Sequence, residues 1–191
     1  MKFKHFYIIR IMKCNKMYKI IIVRHGKSIW NHDSKFTGWT NIPLTKEGRH
    51  EAKIIANTMK KHNIYPSVYF SSVLDRCTET IKIIKNEFNN NGHIYTSWRL
   101  NEKHYGTLEG IPRKFIRDIY GMKFTSMMRN NFYMKPPVLK HLESSNKYPI
   151  FKNCYYNKIK YGESKENVLN RLLPYFENDI LYSFQEKKLP F

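Results

Sequence analysis

"KIIIVRHGKSIWN", residues 19–31, runs three isoleucines and a valine directly into Arg24, His25 and Gly26. A short, unbroken, β-branched run reads as a strand buried on both faces, as in a parallel sheet. In an open α/β sheet, ligands bind beyond the carboxyl ends of the strands. The isoleucines therefore hold the strand in the core and aim the next two side chains into a crevice. A guanidinium and an imidazole are both phosphate-friendly groups, and Gly26 lets backbone come close to a ligand and donate an N–H.

The pattern continues downstream. From Thr45, the positions Ala52, Ile55, Ala56 and Met59 recur at helical spacing, with Glu47 in the first turn and Lys60 and Lys61 in the last. "SVYFSS" (67–72) reads as a second strand, and Val73, Cys77, Ile81, Ile84 and Phe88 mark a second amphipathic helix. "HIYTSW" (93–98) is a third strand. Strand, helix, strand, helix, strand predicts an α/β fold with parallel strands and right-handed crossovers. Residues 107–163 are less regular and punctuated by prolines, as a lid or binding insert would be. After Gly162, apolar residues from Val168 to Leu181 recur at three and four, predicting a long helix kinked at Pro174.

Composition bounds what this chain does. At 191 residues with 41% apolar content it fits one domain with one sizeable core. The formal charge of +19 attracts polyanions, but the cations are spread along the whole chain, which is the pattern of a solvated basic surface. Neither helix-turn-helix, RRM nor zinc-ligand spacing occurs, so a nucleic-acid-binding module is not expected. No apolar run reaches the roughly 20 residues that span a bilayer. Cys14, Cys77 and Cys154 form no C-x-x-C pair and fit a reduced, cytoplasmic setting. The first sixteen residues are basic, interrupted by Arg10 and lack a small-residue cleavage site. They read as an extension (1–16) of unknown role, with Met17 as an alternative start before a catalytic domain over 17–191.

An R-H-G triplet alone is weak, but the other strand ends reinforce it. "SSVLDR" places Arg76 in the first turn of the helix after the second strand, where helix N–H groups face the same crevice. "WRLNEKHYGTLEG" places Glu102, His104 and Tyr105 after the third. A neutral imidazole is a nucleophile near pH 7 when its second nitrogen is held by a hydrogen bond. Guanidinium groups supply planar forks for phosphate oxygens, and a carboxyl group supplies a proton donor and acceptor.

Taken together, "VRHGKSIWN", "KFTGWTNIPLTKEG", "SSVLDR", "WRLNEKHYG", "MKPP" and "YGESKENVLNRLLPYF", in that order, resemble the cofactor-dependent phosphoglycerate mutases of the histidine phosphatase superfamily. The resemblance implies a three-layer αβα fold with a mostly parallel central sheet. It implies that His25 takes a phosphoryl group from 2,3-bisphosphoglycerate and passes it between the 2- and 3-hydroxyls of phosphoglycerate, a step of glycolysis and gluconeogenesis. Arg24 and Arg76 would hold the transferring group, and Glu102 would be the general acid/base. Ser28, Asn31, Thr37, Gly38, Lys103, His104, Tyr105, Arg113 and Arg129 match binding positions. No metal is implied, because guanidinium groups neutralise the charge. The expected partners are a small phosphorylated substrate and further copies of the chain, as dimer or tetramer, with no nucleic acid and no membrane. The alternative is a phosphatase that gives the same phosphoryl group to water. The residues named so far are common to mutase, bisphosphoglycerate synthase and phosphatase.

Several residues depart from the family pattern. Lys27 stands where the mutases carry glutamate, reversing a charge beside the nucleophile. Asn130 replaces the second of two lid arginines, removing a charged donor worth about 1–3 kcal/mol to a bound phosphate, and Arg113 replaces a lysine. The family's second catalytic histidine, in an A/S-H-G-N-S block, has no counterpart: His5, His32, His50, His62, His93 and His141 lie at other positions. "KKLPF" (187–191) reads as the start of the strand that would carry it. The expectation is therefore a chain that is incomplete at its C-terminus, poorly stable and nearly inactive by itself, or else an inactive paralogue.

Overall fold

The computed structural model describes residues 6–13, 15–138 and 162–184. Cys14, Cys154, His5, His141, most of the second half of the lid insert and "KKLPF" lie outside them.

The opening stretch lies on a hairpin. Strand β1 (Phe6–Lys13) pairs antiparallel with β2 (Lys16–Val23) in the register Phe6 to Val23, Ile8 to Ile21 and Ile9 to Ile20. Residues 6–13 of the extension thus pair with β2, which begins at Lys16, one residue before Met17. The period-2 alternation of a strand gives it two unlike faces. Phe6, Ile8, Ile21 and Val23 pack toward the core, whereas Tyr7, Ile9 and Ile22 are 49%, 44% and 50% exposed. β2 is therefore covered on one face, contrary to the expectation of a strand buried on both.

Strand β3 (Tyr69–Ser71) pairs in parallel with β4 (Ile94–Thr96). Among the described residues the strands form two separate pairs, one antiparallel and one parallel. A single, mostly parallel central sheet is thus not shown among the described residues: β1 extends β2 by hairpin pairing, and β3 and β4 are three-residue strands bonded to each other. The class remains α/β.

Two helices flank these strands. Helix α1 (Ile29–His32) is a single turn. Helix α2 (Lys46–Lys61) starts where the sequence indicates, with Thr45 Oγ1 accepting from the Gly48 N–H, a cap worth about 1 kcal/mol. Its buried stripe, Ala52, Ile55, Ala56 and Met59, packs with Phe6, Ile64 and with Ile84 of α3 (Asp75–Glu87). Within the stretch expected to form an insert (107–163) lies α4 (Arg113–Asn130), broken at Gly121, whose φ of 79° is left-handed backbone that suits glycine. Its Ile116 and Met128 close a second core with Phe36 and Leu108. Helix α5 (Lys165–Tyr175) opens on a capping box between Ser164 and Asn167, contains Pro174, and passes into a π-helical turn over Phe176–Ile180.

Candidate active site

The site is built where β2 ends. The Gly26 N–H donates to Thr80 Oγ1 of α3 at 3.1 Å, and a Cβ at Gly26 would overlap the backbone of Gly48 in α2. Gly26 is thus required by helix packing, not by approach of a ligand as the sequence suggested. Two helices fix this turn, and with it the imidazole beside it. His25 Nδ1 lies 2.7 Å from the Gly26 carbonyl oxygen, a contact in which the ring nitrogen must donate. The proton is then on Nδ1, and Nε2 carries the free lone pair of a nucleophile. Burial lowers the His25 pKa to about 4, with Arg76 and Arg24 also disfavouring the cation, against the Gly26 hydrogen bond. The ring is neutral throughout the physiological range.

Arg76, in the first turn of α3, is fully buried. Its Nη1 donates to the Thr40 carbonyl at 3.0 Å, and Nη2 donates to the Gly38 carbonyl at 2.6 Å and to Glu102 Oε2 at 3.2 Å. Burial raises the Glu102 carboxyl above the usual carboxylate range, Arg76 opposes this, and Glu109 adds to it. A guanidinium and a carboxyl group from two strand ends thus meet, as the motifs predicted.

Among the buried polar atoms with no hydrogen-bond partner among the described residues are four on predicted site residues: Asn31 Oδ1, Thr37 Oγ1, Arg76 Nε and Arg113 Nε. Buried polar atoms are ordinarily paired, so four orphans on predicted site residues mark a surface made for a polar ligand. Three are on arginine or hydroxyl donors, the chemistry that holds a phosphorylated anion such as 2,3-bisphosphoglycerate. Arg113 is the first residue of α4, and Arg24, Arg129, Tyr105 and Glu102 all act on its charge. Burial raises the Tyr105 hydroxyl pKa, and Glu102 raises it further against Arg129 and Arg113. These residues therefore form one electrostatic cluster.

Other residues matched to binding positions make contacts within the protein. Ser28, fully buried, caps α1 by accepting from the Asn31 N–H at 3.3 Å. Gly38, at φ 57°, offers its carbonyl to Arg76, and a Cβ there would strike the Glu109 carboxylate. Lys103 is buried, and its ammonium donates to the Met128 and Met134 carbonyls at 3.0 and 3.3 Å, anchoring the end of α4. His104 is fully buried against Trp39, with Nδ1 accepting from the Gly106 N–H at 2.8 Å. Its geometry is that of a structural histidine. Lys27 acts on Glu47 at the start of α2, and Asn130 Nδ2 donates to Ser126 Oγ on the surface.

The sequence reading missed the carboxylates that shape the site. Glu109, fully buried, accepts from the Trp39 N–H, the Tyr105 N–H, the Thr40 N–H and the Thr40 hydroxyl at 2.7–3.0 Å. It ties the loop of Thr37 and Gly38 to the loop of Tyr105. Glu163 and Arg171 form a second buried pair. The signal for Arg171 was present: it lies three residues after Val168 and four before Tyr175, on the core face of α5.

A strand-end histidine held neutral among arginines, on an α/β scaffold, defines a class. The chain belongs to the histidine phosphatase superfamily (branch 1), whose family model matches residues 20–179. Within it, the chain is 39% identical over 179 residues to the 2,3-bisphosphoglycerate-dependent phosphoglycerate mutase of Buchnera aphidicola subsp. Cinara cedri, covering 91% of this chain and 76% of that one. It is 35% identical over 167 residues to the enzyme of the same name from Hydrogenobaculum sp., covering 86% and 68%. Its fold is similar to a mycobacterial glucosyl-3-phosphoglycerate phosphatase, at TM-score 0.62 and 23% identity, covering 83% of this chain and 65% of that one. A putative alpha-ribazole-5'-P phosphatase from Escherichia coli gives TM-score 0.60 at 18% identity, covering 85% and 66%. The chain spans about two thirds of the length of those solved chains. No helix among the described residues is long and apolar enough to cross a membrane.

Proposed function

We propose that this chain is a 2,3-bisphosphoglycerate-dependent phosphoglycerate mutase, acting on a small phosphorylated substrate in glycolysis in the cytoplasm, as part of a homo-oligomer. The observation that carries the reading is a neutral His25, its Nδ1 proton held by the Gly26 carbonyl, with Arg76 and Arg24 acting on the ring and Arg76 Nε unpartnered among the described residues. When bound, 2,3-bisphosphoglycerate supplies the phosphoryl group. His25 Nε2 attacks phosphorus in line, and Arg24 and Arg76 neutralise the charge on its oxygens, which is most of what such a transfer requires. The Glu102 carboxyl, shifted toward its protonated form, gives its proton to the departing alkoxide and takes one back on return. Arg113, Arg129 and Tyr105 hold the substrate's remaining anionic groups, and α4 covers them against water.

Asn130 favours a second reading, a phosphatase of small phosphoesters, because a lid with one arginine fewer binds a doubly phosphorylated donor less firmly. Incubation with 32P-labelled 2,3-bisphosphoglycerate decides between them. Acid-labile label taken from the bisphosphate and absent from His25→Ala is the expected result. Release of phosphate from varied esters without the bisphosphate would overturn the mutase reading in favour of the phosphatase.

A further inference from the structure

We propose that Glu163 and Arg171 are a positioning pair that holds the Glu102 main chain so that its carboxyl group stands at the leaving oxygen during phosphoryl transfer. Both side chains are buried, at 2% and 6% exposure, yet neither bonds to Arg24, His25 or Arg76. Their interactions converge on residues 99–104. Arg171 grips Glu163 in a two-point fork, Nε to Oε1 at 2.7 Å and Nη2 to Oε2 at 3.0 Å. Nη1 donates to the Arg99 carbonyl at 2.6 Å, and the second N–H of Nη2 is shared between the carbonyls of Asn101 at 2.8 Å and Glu102 at 3.0 Å. Glu163 completes the clamp from the other side: Oε2 accepts from the His104 N–H at 2.8 Å, and its own N–H donates to the His104 carbonyl at 2.9 Å. Trp39 lies under the guanidinium at 5.5 Å and donates Nε1–H to the same Glu102 carbonyl at 2.8 Å.

Glu102 thus has its backbone fixed by a helix more than sixty residues away, while its carboxylate accepts from Arg76 Nη2 at 3.2 Å. A buried arginine that spends its donors on three consecutive-loop carbonyls does more than balance a charge. Apolar packing of α5 would seat the helix as well, and a buried ion pair is seldom retained for stability alone. The step at stake breaks the phosphorus–oxygen bond of the ester, forms the bond from phosphorus to His25 Nε2, and moves the Glu102 proton to the departing oxygen. Its rate depends on where that proton starts, and an error of about 1 Å costs on the order of a hundredfold. The charged groups acting on the Glu102 carboxyl are Arg76 from α3, Arg24 from the end of β2 and Glu109 from the loop after β4, all set by the same placement.

This inference rests on the proposed role of Glu102, and the test separates the two. Transfer to His25 is timed from 2,3-bisphosphoglycerate, whose departing alkoxide needs a proton, and from p-nitrophenyl phosphate, whose leaving phenolate does not. In Arg171→Gln, the first rate should fall by about tenfold or more while the second stays within about threefold, the pattern expected when general acid catalysis is lost. Glu102→Gln should show the same selectivity. Equal losses with both donors in Arg171→Gln overturn the positioning role; no selectivity in Glu102→Gln overturns the acid/base reading instead. If Arg171→Gln melts early, Arg171→Lys, which keeps the charge and loses the fork, reads the same ratio. Titration of 13C-labelled Glu102 needs no turnover: a carboxyl pKa that drops toward the ordinary range in the variant supports the clamp, and an unchanged titration rejects it.

Discussion

His25 is where a single proton decides chemistry and stability together. Burial disfavours the imidazolium, so the folded pKa is about 4 against an unfolded value of 6.5. The folded state therefore binds fewer protons than the unfolded chain between these values, and the contribution to stability is complete above pH 6.5 and lost as pH falls through about 4. His25→Asn keeps a donor for the Gly26 carbonyl and cannot titrate. Melting curves from pH 4 to 8 should show the wild type losing ground to this variant between 6.5 and 4, with no further change above 7. Parallel curves across the whole range would mean that the ring is not buried as described. The same residue was legible in the sequence, because a nucleophile after a β-branched run needs no tertiary information to be noticed. Lys103 was not, because one residue's distance from Glu102 says nothing about which carbonyls α4 will bring to it.

At the scale of elements, helices were legible and strands only partly. Thr45, Glu47, Lys60 and Lys61 mark both ends of α2, and its ends fall within a residue of them. Prolines suggested an insert after residue 107, but what ties α4 down is a pair of lysine bonds that only folding creates. Lys103 holds the Met128 and Met134 carbonyls, and burial lowers its pKa to about 8, below its ordinary 10.5. Lys103→Met leaves those carbonyls without the ammonium, at a cost of about 1–3 kcal/mol. Amide exchange across residues 125–134 should accelerate while exchange in α2 stays as in the wild type. The sign of the pH effect follows from the shift: the folded ammonium is the less favoured, so the wild type gains on the variant as pH rises from about 8 to 10.5. Uniform exchange in the two proteins would show that α4 is held by Ile116 and Met128 alone.

For the whole molecule, the consequential difference between sequence and structure lies at the N-terminus. An acid-free, basic stretch interrupted by arginine carries no clear alternation, and its strand forms because β2 offers an edge for pairing. The register then decides which side chains matter. Phe6 faces Val23 on the covered side and is 1% exposed among Ile55, Ala56, Met59 and Ile84, whereas Tyr7, one residue on, faces Ile22 outward at 49%. β1 and both flanking helices thus share one core beneath the His25 turn, since α2 and α3 are the same helices that seat Gly26. Phe6→Ala should cost about 3–5 kcal/mol in denaturant unfolding, as large aromatic truncations in a packed core do. It should also lower the rate of His25 phosphorylation at temperatures where the chain remains folded. Tyr7→Ala should change stability by less than about 1 kcal/mol, as exposed positions usually do. Equal small effects at the two positions would mean that residues 6–13 are an appendage, as the sequence alone suggested; the predicted tenfold contrast in equilibrium constant or more makes them part of the catalytic scaffold.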